Sequence, residues 1–203
     1  MGMRDLPTKN NLIKLKSFIK QSKEGKTLLE KKKLILQREI EKYITEKNNL
    51  KQHGNELFEE AFKTLKDANI DIGIENMADI ANGIEEEKSV DIKYISVMGV
   101  EIPSIIIEKS EQKINYGLYA STSKVDDAIS KFLEVKEYLV KLAEIETTII
   151  RLKDSVQKVN RRINALEEVI IPRDEKIASK ISEVLDEIQM EELARLKLIK
   201  KEM

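Results

Sequence analysis

The sequence predicts an all-α fold with a small β-hairpin: a long antiparallel two-helix coiled coil with a central insert. Three observations carry that prediction. Val135, Tyr138, Leu142, Ile145, Ile149, Leu152, Val156, Val159, Ile163, Leu166 and Ile170 alternate steps of three and four without a miss, which is the seam of a helix that needs a partner. A second grid on the same spacing, from Leu12 to Ala68, is apolar at eleven of its seventeen positions. Finally, 36% charged and only 4% aromatic residues are poor material for a broad globular core and suit an elongated helical chain.

Taken in order, Pro7 disfavours helix at Leu6, and the Thr8 hydroxyl is placed to cap the amides that follow. The first helix is expected over Thr8–Asp67, about 90 Å at 1.5 Å per residue. Its grid runs through Leu12, Leu15, Ile19, Ser22, Lys26, Leu29, Lys33, Leu36, Ile40, Tyr43 and Lys47 to Ala68, so it is leakier than the second. Around Asn69 the pattern changes, and a short helix near Glu75–Ala81 is ended by Asn82-Gly83. VDIKYISVMGVEIPSIIIEK then predicts a hairpin over about 90–108, turning at Met98, Gly99 and Val100, with Pro103 restricted to an edge or an interrupted strand. The hairpin is expected to stand off the helices. A polar loop with Tyr116-Gly117 leads to Ser121-Thr122-Ser123, where Ser123 and Asp126 form a capping-box pattern.

The second helix runs from Ser123 to Ile171, about 75 Å. Pro172 removes a backbone donor and crowds the carbonyl of Glu168, so a kink or short break is expected there. Beyond it Ile177, Ile181, Val184 and Ile188 restart the grid in a shifted register. Folding back at the insert pairs residues whose numbers sum to roughly 190, which leaves about 20 residues of the second helix past Val184 unpaired at about 1.5 Å each. The expected division is therefore a shaft of 1–68 and 121–203 and an insert of 69–120.

Formal net charge is −1, which gives the whole chain no electrostatic argument for nucleic acid or an anionic membrane. Charge is local: through Lys33 there are ten basic residues against three acids, and from Asp67 to Asp91 eight acids against one lysine. The basic segment is interleaved with no aromatic residue except Phe18, which favours a solvated, partner-facing helix over single-strand binding. Without cysteine there is neither a disulfide framework nor a thiolate metal site. MGMRDLPTKNN lacks a secretory apolar run, and no segment approaches the ~18 apolar residues of a membrane span, so a cytosolic, at most peripheral chain is expected. His53 has no acid, thiol or hydroxyl at a catalytic spacing and is expected to lie on a helix surface. The glycines form no phosphate-cradling loop. No catalytic residue, cofactor or metal ligand is expected.

PTKNNLIKLKSFIKQSKEGKTLLEKKKLIL, MGVEIPSI, YGLYASTSKVDDAISKF and RRINALEEVIIPRDEKIASKISEVLDEIQMEELARLKLIKK resemble, in this order and over nearly the whole chain, the D subunit of V-type/A-type rotary ATPases. The RRINAL…VIIP block with its trailing RLK is the most specific; ELARLK departs from the acid-arginine-acid run that many members carry before RLK. The resemblance implies a non-catalytic central-stalk protein that turns inside a hexameric ring of A and B catalytic subunits. It also implies pairing with the small F subunit, and torque passed to a funnel-shaped subunit above the membrane rotor ring. That would place the chain on the cytoplasmic side of the membrane, coupling ATP synthesis or hydrolysis to proton or sodium transport without spanning the bilayer itself. Candidate partner-facing residues are Pro7 and Thr8 at the start of the first helix and Ile188, Leu193, Arg195, Leu196, Lys197 and Ile199 at the far end of the second. The alternative is a prefoldin-like chaperone or tethering protein, which also joins two long helices through β-hairpins.

Overall fold

A computed structural model describes residues 6–83, 90–107 and 122–202. Its elements are α1 (Lys9–Ile72), α2 (Ile74–Gly83), β1 (Val90–Val97), β2 (Val100–Ile107), α3 (Ser123–Asn164), a π-helical turn (Ala165–Ile170) and α4 (Ile171–Glu202). The predicted Tyr116-Gly117 loop and Ser121 lie outside the described residues.

α1 starts as its sequence dictates. The Thr8 hydroxyl accepts from the Asn11 amide at 3.2 Å, and the Asn11 side chain donates to the Leu6 carbonyl at 3.1 Å, satisfying groups that a helix end leaves open. The helix continues past Asp67 to Ile72, because the first residue able to stop it is Gly73. At φ 88° that glycine is left-handed, and its amide closes on the Asn69 carbonyl at 3.0 Å. The Gly73 carbonyl then accepts from Met77 at 3.1 Å and starts α2, so one residue separates the two helices.

The chain divides into two compact units, Leu36–Ser155 and a second made of Met1–Ile35 with Val156–Met203. Within Leu36–Ser155, α1 and α3 run antiparallel: Lys47 meets Glu146 at 2.7 Å, Glu60 meets Lys131 at 3.3 Å and Asp71 meets Lys124 at 2.8 Å. Phe58 and Phe62 sit edge-on to Tyr138 and Phe132 at 6.0 and 5.9 Å. Ala68, Ile80, Val125 and Ala128 close the α2 end, where small residues let the helices approach. Leu36 and Leu152 are fully buried, each contributing about 1.5–3 kcal/mol.

In the other unit the order is again antiparallel, from Leu15 packed with Ala178 and Ile181 through Lys23–Glu175 at 2.7 Å and Lys26–Glu167 at 2.8 Å to Lys33, which donates to Asn160 at 2.8 Å.

Every position of the α1 grid from Leu12 to Ala68 is buried or half-buried. Its lysines are part of the packing: the stems of Lys26, Lys33 and Lys47 lie in the seam while their ammonium groups reach the facing helix.

The second grid slips, as its sequence predicts, but at a different place and phase. The kink or short break expected at Pro172 takes the form of a π turn just before it, in which the Ile171 amide donates five residues back to the Leu166 carbonyl. One extra residue is thereby inserted, and the helix passes through Pro172 inside α4. A proline in an unbroken α-helix would press on the carbonyl four residues back; widening the preceding turn removes that crowding. The seam then resumes one residue late, at Ile171, Asp174, Ala178 and Ile181, all buried, with Leu185 half-buried. Val184 and Ile188 are 37% and 43% exposed and lie off it.

Asp174 is 3% exposed, with its Oδ1 accepting from Arg173 Nε at 3.0 Å and its Oδ2 without a hydrogen-bond partner among the described residues. An incompletely partnered buried carboxylate is destabilising relative to an apolar side chain of similar volume. Asp174→Leu is therefore expected to raise stability by on the order of 1 kcal/mol and with it the thermal midpoint; a lower midpoint would show that the carboxylate is fully satisfied.

Candidate functional site

The hairpin is built by its turn. Met98 and Gly99 both have positive φ, 52° and 76°, the geometry of a type I′ turn, which matches the right-handed twist of the strands. Val97 pairs with Val100 and the ladder continues to Val90 opposite Ile107. Counting from the turn, Ser96–Glu101 and Tyr94–Pro103 are the pairs that do not exchange hydrogen bonds. Pro103 thus sits where its missing donor would have pointed out of the ladder, so β2 continues through it unbroken. The expectation of a hairpin standing off the helices is not met. Ile102 and Pro103 are buried, and Arg151 of α3 donates to the Glu101 carbonyl at 3.0 Å with its guanidinium 5.1 Å from the centre of the Tyr94 ring. This contact joins residues 50 apart in sequence, and no local pattern announces it.

At the other candidate surface, every residue from Asp186 to Lys200 is exposed. Leu193, Leu196 and Ile199 are each more than half exposed, and Arg195 and Lys197 on the same segment are exposed too. α4 nevertheless remains helical to Glu202. Pro7 and Thr8 are exposed too, and the hydrogen bonds of Thr8 are those of a helix cap.

Electrostatics follow the interhelical pairs. Hydrogen bonding to Glu167 holds the Lys26 ammonium above the usual lysine range, and hydrogen bonding to Lys47 holds Glu146 below the usual carboxylate range. The Lys47–Glu146 contribution is therefore present at neutral pH and is lost as pH falls below about 4.5. That of Lys26 is lost only as pH rises above 10.5.

His53 is exposed on α1. Among the described residues no group of three or more His, Cys, Asp or Glu is placed to hold a metal ion. An open depression of about 300 Å³ on α1 is lined by Glu56, Glu59, Glu60 and Lys63. No described helix is long and apolar enough to cross a membrane. The surfaces left to consider are the hairpin and the exposed end of α4.

The sequence model of the ATP synthase D-subunit family matches residues 11–201. The chain belongs to that family. Among its relatives, the D subunit of the V-type ATP synthase of Thermotoga neapolitana is 39% identical over 194 residues, 96% of either chain. The D subunits of the A-type ATP synthases of Pyrococcus horikoshii and Thermococcus kodakarensis are 37% and 38% identical over 197 residues, covering 96% of this chain and 92% of theirs. A D subunit works as part of an ATP synthase complex, so its partners are other subunits of that complex. The family match also displaces the prefoldin-like reading.

Proposed function

We propose that this chain is the axle of the central stalk, turning inside the ring of A and B subunits on the cytoplasmic side of the membrane. The F subunit binds its flank and the membrane-side funnel subunit receives its torque. The observation that carries this reading is the end of α4: a helix with exposed Leu193, Leu196 and Ile199 beside Arg195 and Lys197, continuing past the last seam residue. An apolar side of this kind on a surface helix is covered by a partner, and the basic residues suit carboxylates or helix C-termini on a surrounding ring.

The chain itself supplies no reacting group. An asymmetric shaft makes different contacts with each of the three catalytic sites, so their nucleotide affinities differ by the contact free energy, and rotation exchanges the states. ATP synthesis or hydrolysis is coupled in this way to proton or sodium movement. Binding by α4 requires ordering of a helix that is marginal alone in water.

The test is assembly. Co-expressed with the A, B and F subunits, the full chain should purify in one complex with ATPase activity, and removal of Leu193–Met203 should leave binding of the F subunit intact while weakening ring assembly. Hydrogen exchange over the last 20 residues should be fast in the free chain and slowed on assembly. Strong protection in the free chain, or none gained in the complex, overturns the reading.

A further inference from the structure

A two-stranded hairpin is barely stable by itself in water, and this one presents an outer strand with Ile92, Tyr94 and Ile95 each more than half exposed. Its inner strand is seated, with Ile102 and Pro103 buried and Ser104 and Ile105 half-buried. Among the described polar contacts, both strands meet the helices through a single side chain, Arg151.

Position explains why it reaches both. Arg151 follows Thr148 and precedes Leu152, which are 1% and 0% exposed, so its stem leaves the most closed stretch of α3. Glu101 lies in a pair that does not exchange hydrogen bonds, and its carbonyl is therefore turned out of the ladder, where it is open to a donor. Arg151 Nη1 supplies that donor at 3.0 Å, while the guanidinium carbon lies over the ring of Tyr94 on the other strand, 5.1 Å from its centre. Lysine, a point charge without the guanidinium fork, could make either contact but is poorly suited to hold both at once.

We infer that Arg151 is a positioning residue that latches the hairpin onto α3 and so sets the pose in which the hairpin meets the rest of the motor. The effect on the motor rests on the stalk reading above; the latch itself belongs to this chain alone. Opening the hairpin must break a charge-assisted hydrogen bond and a cation–π contact together, so the two strands move as one body and the outer strand cannot change pose separately.

The experiment compares wild type, Arg151→Ala, Arg151→Lys, Tyr94→Leu and the Arg151→Ala/Tyr94→Leu double variant, by hydrogen exchange in the free chain and by ATPase rate in the assembled complex. Arg151→Ala should speed exchange across residues 91–106 by roughly tenfold, Tyr94→Leu and Arg151→Lys by a few-fold. The double variant should be no faster than Arg151→Ala, because the ring contact needs the guanidinium. Exchange within the middle of α3 should stay as in wild type, and ATPase rates should depart from wild type in the same order as the exchange rates. Unchanged hairpin exchange in Arg151→Ala, additive effects in the double variant, or faster exchange with wild-type ATPase rates in every variant would overturn the proposal. If the wild-type chain fails to enter the complex, the stalk reading falls, and the exchange series in the free chain still decides the latch.

Discussion

Removing Glu168 while replacing Pro172 by Ala is expected to leave the folded chain within about 1 kcal/mol of wild type, although a long helix has been shortened in its middle. The π turn holds one residue more than the seam needs. With Glu168 gone, Ile171 takes the place of Ile170, and Asp174, Ala178 and Ile181 fall back onto the three-four spacing set by Ile163 and Leu166. The proline must change with it, since in the closed turn its ring would again meet the carbonyl four residues back; the deletion alone should lose about 3 kcal/mol. Deleting Lys153 from α3 removes a residue where there is no spare one. Everything after it turns by about 100°. Even if the π turn closes to compensate, Val156, Val159, Ile163 and Leu166 leave the seam, at about 1.5–3 kcal/mol each. That sum reaches the whole stability of an ordinary domain, about 5–15 kcal/mol. Thermal unfolding followed by circular dichroism decides: a Lys153 deletion as stable as the Glu168/Pro172 pair would mean that the seam does not set the register.

Gly54→Leu should lower stability by about 1–3 kcal/mol, or about 2–4 °C in the midpoint per kcal/mol for a chain of this size, although leucine is the better helix former by close to 1 kcal/mol. The reason lies across the seam. A Cβ placed on Gly54 would overlap the phenol end of Tyr138, 2.8 Å from Cε2 and closer still to Cζ and the hydroxyl. Tyr138 is 8% exposed and held edge-on by Phe58, so it has little room to withdraw. Gly54→Ala alone should also lose stability, since its Cβ already meets Tyr138, and adding Tyr138→Leu to it should recover part of that loss through the space the smaller side chain leaves. A Gly54→Leu chain that melts at or above the wild-type temperature would show that the two helices can separate there without penalty.

Much of this is legible in the sequence because coiled-coil seams repeat. The spacing of Val135 to Ile170 locates one seam, the sum of roughly 190 sets Gly54 near Tyr138, and Met98-Gly99 marks the hairpin turn. Periodicity counts apolar residues, however, and burial does not always follow them. Ile177, Val184 and Ile188 outvote Asp174 and Ala178, so the apolar pattern gives the slip the wrong phase, while the buried carboxylate carries no signal of its own. Pro172 draws attention to itself, yet its crowding is relieved one turn earlier by a change in hydrogen bonding that no residue type encodes. The candidate tip residues follow from chain-length arithmetic and are exposed where that arithmetic puts them. Arg151 is invisible in the sequence because a half-buried arginine on a charged helix resembles its neighbours until the strands it meets are in place.

The seam lysines amount to an addressing system. A seam of leucines accepts any apolar face of the right width, including a second copy of the same helix or the correct partner displaced by a turn. Lys26, Lys33 and Lys47 each require an acceptor at one height, and find it in Glu167, Asn160 and Glu146. A sliding or self-associated arrangement would separate these ammonium groups from their acceptors on the facing helix and set them beside apolar rows. The weakness that the pattern shows on paper is thus what restricts the helix to a single alignment.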